Sequence, residues 1–95
     1  MFLFIVTYTA PLSAIDAALE AHRAWLEEGF AKGVLLLCGP QVPREGGAIL
    51  AHGLSRAEAE ALAATDPFVL RGVANYRIIE MTPRRADPRL EFLIS

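Results

Sequence analysis

Apolar positions come in three unequal patterns along the chain, and each pattern predicts a different element. The first is a continuous run, Phe2-Leu3-Phe4-Ile5-Val6, rich in aromatic and β-branched side chains, which predicts a strand from Phe2 to Tyr8. After the turn at Pro11 the pattern changes. Ile15, Leu19, Leu26 and Phe30 fall on one stripe at helical spacing, in a stretch of Ala, Leu, Glu and Arg interrupted by Gly29. Ser13 is the expected N-cap, Asp16 suits the positive end of the helix, and Gly33 stops it. Val34 to Cys38 is a second continuous apolar run, ended by Gly39-Pro40 and followed by a polar loop over residues 41–47, in which Gly46-Gly47 reads as a turn. Ala48 to His52 reads as a short third strand.

Ser55-Arg56-Ala57-Glu58 has the spacing of a capping box and opens a second helix that runs through Ala63-Ala64. Asp66-Pro67-Phe68 breaks that pattern, with a short turn continuing to Gly72. Ala74 to Thr82 alternates as a fourth strand, with Tyr76, Ile78 and Met81 inward and Arg77 outward. Beyond Pro83 comes a charged tail, residues 84–95, ending in the apolar patch Leu90 to Ile94.

The order βαββαβ predicts one α+β domain over residues 1–95, of the ferredoxin-like type, with a core at 2–83. Its four-stranded antiparallel sheet carries two helices on one face. A sheet with one wet face should alternate apolar and polar residues, and the first two strands do not. Their second face therefore needs a cover. Either a second copy of the chain supplies it, giving a homodimer through the sheet face, or the segment Leu90 to Ile94 folds back over it.

Composition sharpens this picture in two places. Hydrophobic residues make up 54% of the 95, above the usual range of about 45–50%, which again favours a covered apolar face. The net charge of −2, with Arg84-Arg85 the longest basic run, argues against a nucleic-acid partner. The single cysteine, Cys38, rules out an internal disulfide and reads as a buried, inert thiol. The apolar start is too short to span a bilayer and has no basic lead, so no membrane association and a cytoplasmic location are expected.

The chain directions bring the turn after Tyr8, the first half of the first helix, Gly39-Pro40 and Asp66-Pro67-Phe68 to one end of the sheet, where a pocket is expected. His22 sits on or beside the apolar stripe of that helix, three residues after Leu19 and four before Leu26. Two roles are open to it: a core histidine satisfied by one hydrogen bond, or a general acid–base group. Asp66 likewise caps a helical turn ahead of Pro67, orients the imidazole, or does both with its two oxygens. Tyr8, Trp25, Gly39, Pro40 and Phe68 are candidate walls for a small-molecule site. His52 reads as a surface residue. The histidines lack metal-ligand spacing and there is no phosphate-binding glycine loop, so neither a metal nor a phosphate-bearing cofactor is expected.

Three segments in order resemble the YciI-like (YCII-related) family: His22-Arg23-Ala24-Trp25-Leu26, Cys38-Gly39-Pro40, and Asp66-Pro67-Phe68 leading to Gly72-Val73. The resemblance runs from about residue 2 to residue 83. It implies a dimer of the α+β-barrel type and an active site built on a His22–Asp66 dyad. It also implies cofactor-free chemistry of a lyase (dehydrochlorinase) or isomerase kind on a small cyclic or carbonyl-containing molecule. The loop at 41–47 is shorter here than in longer members of the family.

Overall fold

A computed structural model describes residues 1–94, so the expected tail is seen as far as Ile94 and Ser95 lies outside the described residues. The elements are β1 (Phe2–Tyr8), α1 (Leu12–Ala31), β2 (Leu35–Pro40), β3 (Gly46–Ala51), α2 (Arg56–Ala64), α3 (Pro67–Leu70) and β4 (Ala74–Glu80), followed by a 3₁₀ segment at Pro88–Leu93. The four strands form one antiparallel sheet in the order β2-β3-β1-β4, a compact α+β arrangement of the ferredoxin-like type. The helical side differs from expectation by one element. The turn after Asp66 closes into the separate helix α3, because Asp66 caps it and Pro67 supplies a preset φ at its first position.

Register fixes which side chains meet. Phe4 lies opposite Ile49 on β3 and Ile78 on β4, and Val6 lies opposite Gly47 and Tyr76. Phe2, Phe4, Val6, Ile49 and Ala51 thereby share the helix-covered face, where they are buried against Ile15 and Ala18 of α1, Ala59 of α2 and Phe68 of α3. Gly29 serves this packing. A Cβ there would strike the side chain of Leu35, so the glycine lets α1 press onto β2. The alternate set, Leu3 and Ile5 with Ala48, Leu50 and Ile79, points to the opposite face and is only half-buried, and Leu37 beside it is 59% exposed. The segment Leu90–Ile94 does not bury itself there: Leu90, Phe92 and Ile94 stay exposed, and Phe92 meets His52 edge-on instead.

Several local expectations hold and others shift. Ser55 and Glu58 form the capping box reciprocally, Ser55 Oγ accepting from the Glu58 amide and the Glu58 carboxylate from the Ser55 amide. Gly33 takes a φ of +75°, the left-handed conformation that ends α1. Ser13 is not the N-cap: the cap falls two residues earlier, at Pro11, and α1 begins at Leu12 with no side-chain cap. Phe30 is 40% exposed near the C-terminal end of α1. Met81 lies past the end of β4 and is 43% exposed, not inward. Gly39-Pro40 forms the last two residues of β2, and Gly46-Gly47 belongs to a strand, not a turn. Pro40 is tolerated because β2 is an edge strand, and Gly46 is required because a Cβ there would collide with the carbonyl of Val6. No helix among the described residues is long and apolar enough to cross a membrane.

Candidate active site

The site is built around one buried carboxylate. Asp66 follows α2 in extended conformation and its side chain turns back to cap α3, Oδ1 accepting from the amide of Phe68 at 3.0 Å. The same oxygen accepts from Nδ1 of His22, 2.7 Å away and 44 residues earlier in the chain. Oδ2 accepts from the hydroxyl of Tyr76 at 2.5 Å. Capping and imidazole contact thus fall on one oxygen, where the sequence suggested one for each, because the tyrosine takes the other. Asp66 has no exposed surface at all. A carboxylate in that position is held by its three donors, since a buried charge without partners costs several kcal/mol.

The carboxylate also sets the state of the imidazole. An ionised carboxylate only accepts, so Nδ1 of His22 carries the hydrogen and Nε2 of the neutral ring is left with a lone pair. The side chain of His22 is 12% exposed. Phe68 stacks on the ring at 3.9 Å between centroids with planes 7° apart, and Trp25 lies beside it at 5.9 Å. Trp25 is anchored in turn, its indole N–H donating to the hydroxyl of Thr65 at 2.9 Å. The imidazole is therefore fixed by a hydrogen bond at one edge and by aromatic packing.

Tyr76 was read from sequence as an inward core residue only. Its placement opposite Val6 in the register puts the phenol beside Asp66. Burial, and then the neighbouring Asp66 charge, push its hydroxyl far above the ordinary phenol range, so it remains a donor. The available signal was general: a buried tyrosine needs a partner for its hydroxyl.

His22 opens into a cavity of about 530 Å³. Val6, Leu19, Leu26 and Ile49 supply apolar wall, and Tyr8, Gly39, Pro40 and Phe68 line it as the sequence suggested. Trp25 does not line it; its indole is turned toward Thr65. Cys38 does line it and is exposed, contrary to the buried thiol expected, because it faces the cavity from an edge strand. Partial burial raises its thiol above the ordinary range, so it stays protonated at neutral pH. Three charged side chains border the opening: Asp16 and Arg23 on α1, and Arg44 on the loop after β2. Arg44 reaches Asp16 at 2.8 Å and lies 6.0 Å from the centre of the Tyr8 ring. Among the described residues no three His, Cys, Asp or Glu side chains gather as a metal-ligand set.

Comparison with known proteins agrees with this architecture. Residues 1–82 match the family of YCII-related domains. No curated protein matches the chain. Among solved structures, the chain resembles 5-chloro-2-hydroxyhydroquinone dehydrochlorinase (TftG) from Burkholderia phenoliruptrix AC1100, in complex with 2,5-dihydroxybenzoquinone. The two share 20% identity with a TM-score of 0.71, over 86% of this chain and 94% of that one, a likeness of fold.

Proposed function

The chain belongs to the YCII-related family, and from that premise we propose that it is a cofactor-free enzyme that moves a proton on a small cyclic or carbonyl-containing molecule. The observation that carries this reading is the 2.7 Å contact of His22 with the buried Asp66 at the wall of an apolar cavity. With Nδ1 engaged, His22 accepts a proton at Nε2 from an acidic O–H or C–H of the bound molecule. The bonding pair left behind becomes an enolate or phenolate. The imidazolium is stabilised by Asp66, whose oxygens also accept from Tyr76 and Phe68. The step completes in one of two balanced ways. Either a leaving group departs with its electron pair, as in a lyase, or the imidazolium returns the proton to a different carbon, as in an isomerase. The dehydrochlorinase of similar fold favours the first.

In its working form the protein pairs with a second copy through the outer sheet face, where Leu3, Ile5, Leu37, Leu50 and Ile79 stand together without a cover. Light scattering at micromolar concentration should give twice the mass of one chain, and a single-chain mass would end that part of the reading.

The chemistry is tested by following loss of the ring protons of 2,5-dihydroxybenzoquinone to D₂O by NMR. The protein should accelerate exchange by about 10²–10⁴-fold, the range of general acid–base help. His22→Ala should remove that acceleration while keeping the fold. Equal exchange by wild type and His22→Ala, or no acceleration by the wild type, would defeat the proposal.

A further inference from the structure

We propose that the natural ligand of this pocket carries a negatively charged oxygen, and that Arg23 is the residue that selects it. The inference rests on the proton-transfer reading of the same cavity and adds its substrate class. Inside, the walls are largely apolar and the Asp66 carboxylate is fully buried, so no side chain there offers a fixed charge to a ligand. Around the opening stand two guanidiniums and one carboxylate. Arg44 and Asp16 are matched to each other at 2.8 Å, and their hydrogen bond keeps the Arg44 guanidinium firmly protonated. Their charges cancel to first order. Arg23 makes no ion pair or side-chain hydrogen bond among the described residues, although it follows His22 directly in the chain. The balance of the rim is therefore one free positive charge beside the proton-accepting imidazole.

That arrangement suits an anion in both stages of the proposed step. A carboxylate or ionised hydroxyl on the incoming ring meets Arg23, and the enolate or phenolate formed when His22 takes a proton gains from the same cation. A cationic ligand in the cavity would face Arg23, and the carboxylate among the cavity's lining residues, Asp16, is already engaged. The pocket should thus discriminate by charge between molecules of one shape.

Benzoate and benzamide, nearly identical in outline, separate the two cases. Binding is read from quenching of Trp25, the single tryptophan, and from the shift of the His22 ring protons. Benzoate should bind about tenfold more tightly, as a charged hydrogen bond gives, and added salt should weaken benzoate alone. Arg23→Gln should bring the two affinities together, and Arg23→Lys should retain most of the difference. Arg23 is exposed, so neither change disturbs the core. Asp16→Asn, by removing the competing carboxylate, should tighten benzoate further. Equal affinities in the wild type, or a preference that survives Arg23→Gln, would overturn the inference while leaving the proton-transfer reading intact. Failure of both probes to move the His22 resonances would overturn both.

Discussion

The chain has two histidines, and each has one ring nitrogen hydrogen-bonded, yet their surroundings could hardly differ more. His52, just past β3, meets the carbonyl of Gly33 with Nε2 at 3.0 Å and touches Phe92 at the surface. Gly33 and His52 flank paired strands, so that bond follows from local strand pairing: the backbone of His52 already donates to the neighbouring Val34 carbonyl. His22 instead meets a fully buried carboxylate delivered from 44 residues away, in a cavity. A carbonyl oxygen can only be satisfied; a buried carboxylate can also stabilise a charge that forms later. Position beside a preorganised acid, not residue type, makes a histidine a candidate for chemistry.

The sharpest way to break this comparison is to remove each imidazole in turn. His22→Asn should lower proton-exchange activity by about 10²–10⁴-fold, whereas His52→Asn should leave it unchanged within error. Equal losses would mean that the two sites do not differ in kind. Next comes the acid. Asp66→Asn places an amide against three donors, and we expect a loss of about 3 kcal/mol in stability, measured by urea denaturation, together with loss of activity. Tyr76→Phe tests the less obvious partner. It removes the donor to Oδ2 and should cost about 2 kcal/mol, with a changed pH–activity profile that a purely structural tyrosine would not produce. A flat response in both measurements would remove Tyr76 from the site.

Two smaller effects probe each region from its surroundings. Ser55→Ala, far from the cavity, should cost about 1 kcal/mol and leave activity intact. The capping box also carries a pH signature. The Ser55 backbone and side-chain bonds hold Glu58 below the usual carboxylate range, so its contribution is present above the unfolded-state pKa and is lost as pH falls through the lowered folded value. The wild type should therefore lose its advantage over Glu58→Gln in acid, and an undiminished gap there would contradict the assignment. Finally, Cys38 should react with iodoacetamide more slowly than an unhindered cysteine at pH 8, because its thiol is raised by burial. Benzoate in the cavity should slow it further.

The elements that local chemistry specifies were legible in the sequence. The capping box at Ser55, the stop at Gly33 and the cap at Asp66 depend on neighbours within a few residues, and each is formed as the spacing requires. The four strands were legible as apolar or alternating runs, but the order in which they pair was not. Errors arose where a distant element overruled a local preference. Gly46-Gly47 has turn chemistry, but the approach of β3 to the Val6 carbonyl makes it strand. Cys38 ends an apolar run and should be buried, but β2 lies at the sheet edge facing a cavity.

The same division applies to the site. Sequence by itself determined that His22 lies on or beside the apolar stripe of a helix and that Asp66 starts a helical turn, because periodicity and capping act over one or two turns of chain. Only the tertiary structure decided that the two groups touch, that Tyr76 completes the acid's hydrogen bonds, and that Arg23 has no ion-pair partner among the described residues. Those facts depend on strand register and helix packing across the sheet, which set side-chain distances to within an ångström and which no local pattern encodes.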